Sequence, residues 1–167
     1  MKRSSLSFSS FPSPIPPKNF NVFLSFRGED TRNNFTGFLN DALQQKGIRA
    51  FLDDRGIDRG KCVAEELPKA IEESSHSIII LSTNYANSTW CLNELLKILD
   101  CKKTMEQILI PIFYHVDPTH VRNKMGAFGE AFAKHKQEFR EKKEKTLLTQ
   151  REREDMDNVM KRWMAFE

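Results

Sequence analysis

Six residues, Ser77-Ile78-Ile79-Ile80-Leu81-Ser82, constrain the chain most. A run that is β-branched and apolar at consecutive positions has no polar side to give to water. As a strand it must be covered on both faces, and an open sheet covered on both faces is a parallel sheet flanked by helices. Three further runs repeat the signal: Asn21–Phe26, Ile48–Leu52 and Ile108–Tyr114, the last with Pro111, whose missing N–H points to an edge or a bulge.

Between these runs the apolar spacing changes to that of a helix. Phe35, Phe38, Leu39, Ala42 and Leu43 form one stripe, with Asp30 or Thr31 as cap and Gly47 where a left-handed stop belongs. Val63, Leu67, Ala70 and Ile71 form another, in which Pro68 predicts a broken turn ahead of it and a first helical position of its own. Phe128, Ala131, Phe132, His135 and Phe139 mark a fourth helix, and Met156, Val159, Met160 and Trp163 a last one within residues 156–166. Residues 140–155 alternate charge and read as solvated helix or linker. Strand-helix alternation of this kind predicts a doubly wound α/β sandwich of four to five parallel strands with helices on both faces.

The third helix, from Ser88 to Cys101, is the candidate site. At about 100° per residue Cys91, Leu92, Leu95, Leu96, Ile98 and Leu99 share an arc, with Asn93, Lys97 and Asp100 opposite. Trp90 and Glu94, four residues apart, stack at the edge of that arc, which predicts a half-buried carboxylate beside an indole. In open α/β sheets ligands lie outside the carboxyl ends of the strands. Those ends carry Arg27-Gly28-Glu29-Asp30, Asp53-Asp54, Ser82-Thr83-Asn84 and His115 to Arg122, so the start of this helix adjoins the same rim. On an arbitrary helix such an acid is a surface group; its place at this rim makes Glu94 the candidate catalytic carboxylate.

The chain has 167 residues with 39% hydrophobic content, enough for one globular domain with tails. A net charge of +3 is too mild to argue for nucleic acid, and the interleaved glutamates of Lys134 to Arg153 favour a solvated face over a phosphate-binding one. Three cysteines without CxxC spacing argue against both a disulfide framework and a zinc site. His115 and His120 have no third ligand nearby, so no metal is expected. No run approaches the roughly 18 apolar residues of a membrane span. Residues 1–18, rich in Ser and Pro, read as a disordered leader rather than an organelle transit peptide, ahead of one domain over 19–167. A reducing compartment follows, the cytoplasm with the nucleus as a second location.

Several collinear motifs carry a resemblance. Phe23-Leu24-Ser25-Phe26-Arg27-Gly28-Glu29-Asp30-Thr31-Arg32, Ala70-Ile71-Glu72-Glu73-Ser74, Asn84-Tyr85-Ala86, Trp90-Cys91-Leu92-Asn93-Glu94-Leu95, and Pro111-Ile112-Phe113-Tyr114 with Val116-Asp117-Pro118 resemble the plant-type Toll/interleukin receptor (TIR) domain of immune receptors, over about Asn19 to Trp163. The resemblance implies a flavodoxin-like sheet, homotypic self-association, association with other TIR immune receptors, and cleavage of NAD or NADP at the nicotinamide–ribosyl bond. The dinucleotide is a substrate, and no tightly bound cofactor is implied. The family's catalytic glutamate matches Glu94. Trp90 resembles its aromatic pocket wall, Arg27, Gly28, Glu29 and Asp30 its first nucleotide loop, and Asp53 to Gly60 its closing loop.

The chain departs from that pattern at Gly37-Phe38, where a Ser-His pair used in self-association is usual, at Asn21 in place of an Asp, and at Ala64-Glu65 with Pro68 in the exit of the closing loop. These departures imply that activity can be low. The chain stops at its final helix, as a TIR-only protein or a fragment would. The resemblance leaves two functions, an NAD(P) nucleosidase switched on by assembly or a non-catalytic adaptor that recruits other TIR domains. A phosphorelay receiver shares the fold, but the third strand ends in Ser82-Thr83 where its phospho-acceptor Asp would stand.

Overall fold

The computed structural model describes residues 18–52, 63–145 and 148–165. Asp53, Gly60, the loop joining them, Cys62 and nearly all of the leader lie outside the described residues, as do the side chains at 63–65.

Four parallel strands form one sheet in the order β2-β1-β3-β4: β1 Phe20–Phe26, β2 Ala50–Leu52, β3 Ser74–Ser82 and β4 Ile108–Tyr114. The chain steps from β1 outward to β2, then returns across β1 to β3. This reversal opens a crevice at the carboxyl ends of β1 and β3, the switch point at which doubly wound sheets bind ligands. The register is continuous, with Ser25 opposite Ile79, and Ile79 opposite Pro111.

Both faces of the sheet are covered. Phe23, Ile79 and Leu81 face a core built with α3 Val63–Glu72, α4 Thr89–Thr104, α6 Gly126–Lys145 and α7 Gln150–Ala165. Val22, Leu24, Phe26, Ile78 and Ile80 face the opposite side, where Phe35, Leu39 and Leu43 cover them. β3 is apolar on both sides because it lies inside the sheet. Among the described residues β4 is an edge strand, one of the two settings its proline allows. Leu109 packs on the first core, whereas Ile108, Ile110 and Phe113 remain exposed.

Four details differ from expectation. The first helical segment starts at Gly28, capped by the Arg27 backbone, as α1 Gly28–Thr31, and reaches α2 Gly37–Gln45 through a wide turn, Arg32–Thr36. Asn34 breaks it (φ −135°, ψ −107°), its own amide side chain bonding the Asp30 carbonyl and the Phe35 N–H in place of helix partners. After this kink the stripe is re-aimed, so Phe38 is 74% exposed and Ala42 is exposed too.

Pro68 lies inside α3 rather than at its start. Only one helical bond is lost, and Leu67, Ala70 and Ile71 bury their side chains on the sheet, so tertiary packing overrides the local cost. The His115–Arg122 stretch, whose turn-rich sequence reads as a loop, is not all loop. Asp117 accepts the Thr119 N–H at 2.7 Å and Pro118 opens α5 Pro118–Asn123. The charged stretch is helical at both ends, as one of its two readings has it, and the last helix starts at Gln150 rather than at residue 156. Gly47 stops α2 at φ +72°, as its position predicts.

Candidate functional site

α4 begins with Ser88, whose hydroxyl accepts the Cys91 N–H at 3.2 Å, and Trp90 and Glu94 follow on one line. Glu94 is only 6% exposed. The sequence predicts a half-buried carboxylate; the structure buries it, because its line faces α3 and the end of β1 rather than open solvent. Leu67, Pro68 and Ile71 of α3 face Trp90, Glu94 and Lys97 of α4 across a cavity of about 190 Å³. Lys97 pairs with Glu72, and that partner raises the lysine's pKa.

A larger cavity of about 370 Å³ lies on the other side of α4, between Leu95, Leu99 and the β4 residues Leu109, Pro111 and Phe113. Its lining is apolar apart from Arg122. Size favours this second cavity, chemistry the first. A reaction site needs convergent polar groups, and the buried acid, an indole and an ammonium meet only in the smaller of the two.

The carboxyl end of β1 supplies the acid's support. Ser25 is the polar residue of an otherwise apolar stretch, and alternation turns it to the same face as Phe23, toward α4. Its hydroxyl donates to Glu94 Oε2 at 2.7 Å and lies 2.8 Å from the Tyr85 hydroxyl. Tyr85, in the turn Tyr85–Asn87, donates to the Cys91 carbonyl at 3.0 Å. Burial, and after it the nearby Cys91 and Glu94, push the Tyr85 phenol well above its ordinary pKa. Cys91 itself is a buried free thiol facing the Phe26 carbonyl at 3.5 Å.

Arg27 and the first turn of α1 follow directly. Arg27 pairs with Glu29, and its Nε lies 3.8 Å from Asp30. Asp30 accepts the Ser82 hydroxyl at 2.5 Å and the Asn84 N–H at 3.1 Å, closing the rim between β1 and β3. Asp30 therefore holds the crevice together with hydrogen bonds of its own. Gly28 lets the Arg32 guanidinium lie close against the backbone, where a Cβ would stand 3.1 Å from it.

Of the sequence-derived candidates, Trp90 and Glu94 share the cavity, and Arg27, Gly28, Glu29 and Asp30 line the adjoining rim. Asp53 and Gly60 lie outside the described residues. Ser25 and Tyr85 escaped assignment. A lone serine in the apolar run Val22–Phe26 is a signal that could have found one of them, but nothing in the spacing pairs it with a tyrosine 60 residues away. Among the described residues no group of three or more His, Cys, Asp or Glu is placed to hold a metal ion, and no helix is long and apolar enough to cross a membrane.

Fold and site together define a doubly wound α/β domain with a buried carboxylate at its switch point. The TIR domain family model matches residues 19–161, and the chain belongs to that family. It is 53% identical over 146 residues to disease resistance protein RPV1 of Vitis rotundifolia, covering 86% of this chain and 10% of RPV1. It is 51% identical over 123 residues to TMV resistance protein N of Nicotiana glutinosa, covering 74% of this chain and 11% of that protein. The chain thus spans about a tenth of these relatives. Among solved structures, the TIR domains of the activated Roq1 resistosome, which recognises the pathogen effector XopQ, align at TM-score 0.67 and 45% identity over 86% of this chain and 84% of that one.

Proposed function

We propose that this TIR domain, when self-associated, cleaves the nicotinamide–ribosyl bond of NAD or NADP and yields ADP-ribose-type or cyclic signalling nucleotides. The observation that carries this reading is Glu94, buried and held by Ser25 in a cavity walled by Trp90, at the sheet's switch point. One carboxylate suffices. Nicotinamide leaves a cationic pyridinium as a neutral ring and needs no acid to protonate it, whereas ordinary glycosides require two carboxyl groups.

The N-glycosidic electron pair departs with nicotinamide, and a cation develops on the ribosyl carbon. Glu94 stabilises that charge in a water-poor site. Water then adds and releases one proton, giving ADP-ribose; attack by the adenine or by a ribose hydroxyl gives a cyclic product instead. Trp90 offers the pyridinium an aromatic face. Arg27 can meet the diphosphate once it leaves Glu29. No resident cofactor is needed, because the substrate carries its own leaving group.

Likeness to the TIR domains of the Roq1 resistosome supports self-association, with other TIR immune receptors as partners. Buried free thiols at Cys91 and Cys101 suit a reducing compartment, cytoplasm or nucleus. The test is turnover of NAD by concentrated protein with Glu94→Ala beside it. Loss of about 10²–10³ in kcat with little change in KM is expected. Equal turnover by both proteins removes Glu94 from the mechanism, and no turnover by either leaves the adaptor reading.

A further inference from the structure

We infer that Ser25 and Tyr85 form a positioning pair for Glu94, a hydroxyl relay that fixes both the direction of the carboxylate and its readiness to ionise; this rests on the nucleosidase reading. Proton accounting sets the order of the relay. Ser25 has one hydroxyl proton and gives it to Glu94 Oε2 at 2.7 Å. At the 2.8 Å contact between Ser25 and Tyr85 the tyrosine must then be the donor, its proton shared with the Cys91 carbonyl at 3.0 Å. Ser25 donates one hydrogen bond and receives a share of the Tyr85 proton, and a hydroxyl polarised in this way is a stronger donor to the carboxylate.

The two residues are built to stay in place. Both are fully buried, Ser25 in a central strand and Tyr85 in a turn whose Ala86 carbonyl faces His135 Nε2 of α6 at 2.7 Å. Neither hydroxyl is needed for packing. An alanine at position 25 or a phenylalanine at position 85 would fill most of the same space. The hydroxyls are therefore there for what they bond, and the relay leads to the acid. A bond donated to the charged form of a carboxyl holds that form. The bond from Ser25 to Glu94 Oε2 thus opposes the preference of burial for the neutral acid.

The experiment compares the full chain with Ser25→Ala, Ser25→Thr and Tyr85→Phe. With NAD as substrate, Ser25→Ala is expected to lower kcat about 10- to 100-fold with KM nearly unchanged. The acid limb of its kcat–pH profile should move up by about one unit, because the bond that favours the charged form is gone. Tyr85→Phe should give a smaller shift in the same direction, and Ser25→Thr, which keeps a hydroxyl, should restore the limb. A merely structural role would lower activity in proportion to lost folded protein and leave the limb where it is; that result overturns the proposal.

Carbon-13 titration of the Glu94 carboxyl in the same four proteins separates this proposal from the one beneath it. Absence of turnover in the wild type defeats the nucleosidase reading, and the carboxyl titration then decides alone. An upward shift in Ser25→Ala supports the relay, and identical titration in all four proteins refutes it.

Discussion

Tyr85 carries the residue-scale account into a stability measurement. Burial holds its phenol well above the ordinary tyrosine value of about 10. Because the folded pKa is the raised one, this contribution is fully present below about pH 10 and is lost as pH rises through the folded value. Phenolate absorbance should therefore show one tyrosine ionising late and together with alkaline unfolding, and Tyr85→Phe should abolish that late step. Ionisation of Tyr85 in the folded state near pH 10 would contradict its placement. Glu94 and Trp90 were legible in the sequence because their four-residue spacing fixes them on one line of a helix. The relay was not legible, because contact between β1 and the turn after β3 depends on strand order, which no local pattern reports.

Elements that obey their local pattern were legible and elements bent by tertiary contact were not. β3 could be read as a doubly covered strand and Gly47 as a stop. The kink at Asn34 and the proline inside α3 depend on side-chain bonds and on docking to the sheet. Gly37 illustrates the difference. Helix propensity alone says that alanine here should gain up to about 1 kcal/mol. Yet a Cβ would stand 2.8 Å from the Arg32 carbonyl, closer than real contacts allow, because the wide turn brings the backbone in. Gly37→Ala should therefore lower the urea midpoint, and a rise would show the kink to be soft. Asp117→Ala should lower the midpoint in the same denaturation by removing the α5 cap. At the β4 edge, Ile108 and Ile110 expose apolar surface on a strand that pairs, among the described residues, only with β3. Ile110→Lys should reduce light scattering by concentrated protein, and unchanged scattering would mean that the edge takes no part in aggregation.

Across the whole molecule, the helix layer behind the site is tied to it through aromatic and polar links. Trp163 of α7 is buried between His135 and Phe139 of α6, with ring centres 5.4 and 5.6 Å away, while Arg162 grips Asp100 of α4 with two bonds. Trp163→Ala should destabilise the domain by about 3–5 kcal/mol in denaturant unfolding; a change below 1 kcal/mol would mean that α7 adds little to the core. The sheet order that places Ser25 and Asp30 at one crevice also delivers α4 to its rim, so fold and chemistry share a cause. The most direct measurement is mass-spectrometric product analysis after concentrated protein meets NAD. Nicotinamide and an ADP-ribose-type product are expected in equal amounts, both lost in Glu94→Gln; intact NAD under assembling conditions, or product formed as fast by Glu94→Gln, would contradict a Glu94-dependent cleavage.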